Sequence, residues 1–159
     1  MNNLDELKKL NKSEIVLIFN DQVIQFINEL EIIINELYQN NIINNIIRED
    51  IIFFKNIATT TLQITHSYII ESFGKYIVRN SDVVPAVMSK DLNFILNYKF
   101  ENDSSINKYK EKYKNNLEIQ DLIGIVKQTI EHFTDENKNI MFEYFQILFQ
   151  LTIIFMSKM

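Results

Sequence analysis

Cysteine and tryptophan are missing from this chain of 159 residues; proline occurs once, and glycine, arginine and histidine twice each. Without cysteine there is no disulfide framework, no thiolate metal ligand and no thiol nucleophile. Two isolated glycines cannot build a phosphate-cradling loop. Both glycine and proline disrupt helix interiors, so their scarcity favours long helices. The two histidines, His66 and His132, lack the i, i+4 pairing of a helical zinc site, and Thr129 stands three before His132 where a di-iron bundle needs a glutamate. Neither a metal nor any other cofactor is expected. The paired acids Glu49-Asp50 and Asp135-Glu136 suit helix ends better than a facing catalytic dyad. We therefore expect no enzyme.

What is present fits one globular domain. Hydrophobic residues make up 47% of the chain, and a chain of this length buries roughly 68–70% of its unfolded surface. The net charge of −5 gives no global attraction to nucleic acid or to an anionic membrane surface. Isoleucine and asparagine are over-used and lysine outnumbers arginine 14 to 2, a pattern we read as A/T-rich codon bias. The first ten residues mix acids and bases around single leucines, with no apolar signal-peptide core, so an intracellular protein is expected. The sequons at Asn11 and Asn102 are then expected to stay unmodified.

Periodicity predicts an all-α bundle of about five to seven helices, with residues 1–12 as a polar lead-in and 13–159 as a single helical domain. Ser13-Glu14 reads as a helix start. Ile15, Phe19, Val23, Phe26, Ile27, Leu30, Ile33, Ile34 and Leu37 then recur every three or four residues, up to a stop at Asn40-Asn41. A second helix is expected over Ile42–Asn56, with Ile43, Ile46, Ile47 and Phe54 inward. A third runs from Ile57 to Val78, across a β-favouring threonine run and Gly74. Pro85 should push Val84 out of the helical region and itself sit in a first turn. Asp91 should cap a short helix to Tyr98, Phe100–Ser105 should be a loop, and a helix follows from Ser104 or Ser105. Asp121–Phe133 is expected to be helical, and Thr134-Asp135-Glu136 to cap and start the last helix, which ends near Met156.

Two features could carry binding. Lys108, Tyr109, Lys110, Lys112, Tyr113 and Lys114 place cations and rings four apart, a pattern that could grip phosphates and stack bases. Glu111 dilutes it, and a solvated helix face is the plainer reading. The apolar tail from Ile140 to Met156 approaches membrane-spanning length, but Glu143, Gln146 and Gln150 interrupt it, so we expect a central core helix. The final Ser157-Lys158-Met159 is only loosely like a peroxisomal address.

Two further patterns give the chain a family look. One is Phe19, Asn20 and Gln22 followed by Phe26, Glu29 and Leu30; the other is Phe73 and Tyr76 followed by Lys90, Asp91, Phe94 and Leu96. With Glu136, Asn137, Lys138, Tyr144 and Leu148 they resemble a family of small uncharacterised helical proteins of nucleocytoplasmic large DNA viruses, the mimivirus-like and algal viruses. The chain departs from that pattern in lacking a proline after the first helix, and in having Ile95 beside Phe94 where an aromatic is usual. The resemblance implies a source and a helical fold, and no reaction. We expect a non-enzymatic helical interaction or structural module, of the virion or of the viral factory in the host cytoplasm. Its partner would be another protein, viral or host, or a second copy. Alternative readings are a nucleic-acid accessory protein using the face from Lys108 to Lys114, and a membrane-associated protein anchored by its last helix.

Overall fold

The computed structural model describes residues 4–97 and 119–158. Among them every regular element is helical: α1 (Leu4–Lys8), α2 (Lys12–Gln39), α3 (Asn45–Ile64), α4 (Tyr68–Arg79), α5 (Val83–Met88), α6 (Leu92–Asn97), α7 (Ile119–Thr129) and α8 (Asp135–Ser157), with a 3₁₀ turn at Ile130–His132 between the last two. Five of these eight helices have seven or more residues.

The frame is α2 lying against α3 on one side and α8 on the other, with α4 bridging α3 and α8. Every apolar residue that periodicity placed inward on α2 is buried, because 28 residues of unbroken helix keep one stripe facing the core. The helix begins two residues earlier than a cap at Ser13 would place it. Asn11, not Ser13, caps it: Asn11 Oδ1 accepts the Glu14 N–H at 2.9 Å and Glu14 Oε1 accepts the Asn11 N–H at 3.1 Å, a reciprocal capping box. At the other end Asn41 adopts φ 59°, while the N–H of Ile42 donates to Leu37 O and that of Asn41 to Tyr38 O. This is the left-handed stop expected of asparagine.

Three expectations need correction. The second helix begins at Asn45 and runs to Ile64, since Asn44 Oδ1 accepts the Ile46 N–H and caps it there. Ile46 consequently faces solvent at 50% exposure, while Ile43 and Phe54 are buried. The threonine run lies inside α3, where Thr59 Oγ1 donates to the Lys55 carbonyl one turn back at 2.8 Å, a local bond that lets a β-favouring residue sit in a helix. The predicted 57–78 helix is broken at Thr65–Ser67: Thr65 is extended at φ −134°, and α4 restarts at Tyr68. Asn20 Nδ2 on α2 donates to the His66 carbonyl in that break at 2.9 Å, so a contact 46 residues away takes up a backbone acceptor the helix gave up. Val83 and Val84 are helical despite Pro85, because Val83 and Val87 bury one side of the short α5; burial outweighs the pre-proline preference.

The later elements follow the prediction more closely. Asp91 Oδ1 accepts the Phe94 N–H at 3.2 Å and opens α6. The expected 121–133 helix is α7, tightening into the 3₁₀ turn, with Leu122, Ile125, Val126 and Ile130 buried. Thr134 Oγ1 accepts the Asn137 N–H and caps α8. The segment Phe100–Ser105, the helix expected after it and Tyr98 lie outside the described residues.

Candidate functional site

Aromatic contacts join the three helices that shape the site. Phe19 of α2 meets Phe73 of α4 edge to face at 5.1 Å, and Phe73 meets Phe149 of α8 at 6.3 Å. Phe145 lies 6.2 Å from Phe149 and 4.9 Å from Phe26. Phe26 stacks on Tyr144 at 5.1 Å with the rings 2° from parallel. Edge-to-face and stacked rings fix relative orientation as well as burying area, so α4 and α8 are held at a set angle on α2.

Where α4 packs on α8, Gly74 faces the Met156 side chain. A Cβ at that position would stand 3.2 Å from Met156 Sδ and 3.4 Å from its Cγ. The long Met156 side chain occupies space that any other residue at 74 would contest. Beside this crossing opens a cleft of about 370 Å³, lined by Ile70, Glu71, Gly74, Lys75, Val78, Arg79, Phe155 and Met156. Its floor is aliphatic and aromatic. Val78 is 69% exposed and Ile153, one turn before Met156, is 43% exposed.

The cleft's charge is mainly positive. Lys75 and Arg79 are exposed one turn apart on α4, with Glu71 on the same helix one turn earlier. A third cation joins from α2: Lys12 Nζ lies 4.8 Å from the centre of the Phe155 ring, in cation–π range. The end of α8 is also tied down, since Lys158 Nζ donates to the Lys8 carbonyl at 2.7 Å. An apolar notch with three cations around it stands out in a chain whose net charge is −5.

A second cleft of about 440 Å³ runs along α3 and is lined by Phe53, Asn56, Ile57, Thr60, Thr61, Ile64, Thr65 and Tyr68. It carries hydroxyls and an amide but no charged side chain, and Ile64 stands 77% exposed in it. Among the described residues no group of three or more His, Asp or Glu is placed to hold a metal ion. His66 and His132 are exposed, on separate turns. Asp50 is buried on α3 while its sequence neighbour Glu49 is exposed, so the two carboxylates do not face each other as a dyad.

The predicted positions fall as follows. Phe19 and Phe26 are core rings, and Gln22 is half-buried on α2. Asn20 bonds the break before α4. Lys90 adopts φ 56° at a left-handed stop after α5, where the Lys90 N–H donates to Val87 O and the Asp91 N–H to Ala86 O. Its Nζ reaches α8, donating to Asn139 Oδ1, with Glu143 3.9 Å away. Gln146 adds a second tie, donating to the Val87 and Met88 carbonyls at 3.3 and 3.1 Å. Phe94 is half-buried against the core. The family-look residues therefore pack and cap the fold. Lys108, Tyr109, Lys110, Lys112, Tyr113 and Lys114 lie outside the described residues.

No family model, curated protein or solved structure matches the chain. Sequence reasoning passed over Lys75, Val78, Arg79 and Met156, the four that define the cleft. The available signal was the Lys75/Arg79 pair one turn apart beside an aliphatic on a strongly amphipathic helix, but its partner wall lies about eighty residues further along the chain.

One ionisation in the frame is displaced. Burial, then the nearby Glu29 and Asp21 carboxylates, raise the Tyr144 phenol above its ordinary value of 10.0. A raised value means that the folded state holds this proton more tightly than the unfolded chain. Its contribution to stability is therefore complete below the unfolded value and is lost as pH rises through the folded one. In a spectrophotometric tyrosine titration, Tyr144→Phe should remove a late alkaline step, and Glu29→Gln should move that step to lower pH. An unchanged titration curve in both variants would contradict the assignment.

Proposed function

We propose that this chain is a non-catalytic interaction module whose α4–α8 cleft receives an apolar helix face of another protein chain. The observation that carries this reading is the cleft itself: Val78 is 69% exposed above an apolar floor of Ile70, Gly74, Phe155 and Met156. Exposed large aliphatics beside a preformed apolar groove are how helix-in-groove recognition is built. Cations at the edge supply orientation and faster encounter more than raw affinity. The viral resemblance supports a setting in the virion or the viral factory, with a viral or host protein, or a second copy, as the occupant.

The α8 helix argues for this reading over a membrane anchor. It is the one described helix long and apolar enough to cross a membrane, but half of its most apolar window is buried inside the bundle. Gln146 and the Lys90 contact also bind it to α5 and the turn that follows.

Photo-cross-linking tests the proposal. A photo-reactive residue at position 78 of the full chain, in cells that produce it, should form protein adducts of discrete mass. The same residue at position 49, exposed on α3, should not form them. Identical adducts at both positions, or none at position 78, would overturn the cleft reading.

A further inference from the structure

The surface that best complements the cleft lies on the same chain. The outward stripe of α2 from Glu14 to Glu36 recurs every three or four residues, and every position on it is exposed. It carries four acids (Glu14, Asp21, Glu29 and Glu36), the aliphatics Leu17 and Ile32, and no cation. Leu17 is 64% and Ile32 54% exposed. The two differ in their neighbours. Leu17 is flanked by Glu14, which is engaged in the capping box, and by Asp21, which accepts from Gln25 Nε2 at 2.7 Å. Ile32 is flanked by Glu29 three residues before and Glu36 four after. Among the described residues no ion pair engages either glutamate, whereas the adjacent Glu31 is held by Lys55 at 3.0 Å.

The two surfaces match in sign and in form. One is an aliphatic knob between two acids that no cation engages among the described residues; the other is an apolar notch beside Lys75 and Arg79. We propose that the α4–α8 cleft of one copy seats Ile32 of a second copy, with Glu29 and Glu36 set against Lys75 and Arg79. This rests on the cleft reading above and names its occupant. Glu71 on the cleft wall is the one like charge the stripe meets, and it disfavours the docking direction that would bring a flanking glutamate onto it.

Knob and notch are different patches, so a single contact leaves one of each over, and these pair reciprocally in a two-fold dimer or take further copies head to tail. In both arrangements the mass should climb with concentration. The charge pairs are solvent-exposed, so added salt should weaken the association.

Analytical ultracentrifugation of the intact chain over a wide concentration range tests this without any added ligand. The wild-type weight-average mass should rise above 19.0 kDa with concentration and fall back at high salt. Ile32→Asp and Val78→Asp should each lower the association constant by roughly tenfold or more. Both sites are exposed, so helicity and unfolding midpoint should hold. Leu17→Asp should associate like wild type. Glu29→Lys/Glu36→Lys and Lys75→Glu/Arg79→Glu should each be monomeric alone and should associate when mixed.

A mass of 19.0 kDa at every concentration would overturn the inference, as would Ile32→Asp associating like wild type, or no recovery on mixing. If the chain stays monomeric while position 78 still cross-links to a different protein, self-association fails and the cleft reading stands. If position 78 gives no adduct and Val78→Asp leaves the mass of an associating wild type unchanged, both fail.

Discussion

Phe26→Ala should destabilise the fold by about 3–5 kcal/mol, the range for losing a buried phenylalanine. The ring is 1% exposed and occupies the one position that touches both Tyr144 face to face and Phe145 edge to face. Aromatic pairs of this kind add about 0.5–1.5 kcal/mol each beyond their buried area, so the upper half of the range is expected. In a protein of this size each kcal/mol moves the melting point by roughly 2–4 °C, so thermal unfolding should shift down by about 8–20 °C. Phe94→Ala, at a half-buried ring on a six-residue helix, should shift it less. If the two variants melt together, the α2–α8 aromatic contact is not the organising joint described above.

Leu148→Asp should unfold the protein, while Ile153→Asp should leave its unfolding midpoint nearly unchanged. Leu148 has no exposed surface, and Ile153, five residues on along the same helix, is 43% exposed. An aspartate at 148 would bury a carboxylate with no partner, a change that belongs among the rare substitutions costing more than about 4–5 kcal/mol. Whole domains are stable by only about 5–15 kcal/mol. At 153 the carboxylate would remain in water, where substitutions usually stay within about ±0.5 kcal/mol. The contrast separates a core helix from a membrane span. A lipid-facing α8 would be apolar for lipid on every side, and a charge near its middle would cost about 2.5–3.5 kcal/mol of insertion energy whichever face carried it. Urea unfolding followed by circular dichroism reads both variants.

How far the sequence reveals this molecule differs from element to element. The core stripe of α2 was readable because nothing interrupts its period over 28 residues. The caps at Thr134 and Asp91 were readable because a side-chain oxygen three residues before a free amide is a local device. The break between α3 and α4 was not. His66 and Ser67 are mild breakers, the apolar period continues across them, and the hydrogen bond from Asn20 that satisfies the gap comes from another helix. Val84 misled for a similar reason, since its pre-proline preference is local and the burial of Val83 and Val87 that overrides it is tertiary.

The cleft was hidden more deeply. Val78 and Met156 share a wall because α4 packs on α8, with Gly74 facing the Met156 side chain, and Lys12 reaches Phe155 from a third element. Charge near a cleft is likewise invisible in a chain whose overall balance is acidic. Conversely, the residues that looked most like a signature (Phe19, Asn20, Phe26, Lys90, Asp91) are conspicuous because packing and capping constrain residue type at fixed offsets. Such constraints mark a fold more than a chemistry.

The cleft requires α8 to be part of the core, with Ile153 exposed and Met156 half-buried at its outer edge. Native-state hydrogen exchange of the full chain in detergent-free buffer tests that dependence most directly. The amides from Met141 to Leu151 should be among the slowest to exchange, and should open together with those of α2 in the global unfolding unit. If α8 exchanges freely while α2 and α3 stay protected, it is a detachable element, and the cleft does not persist in solution.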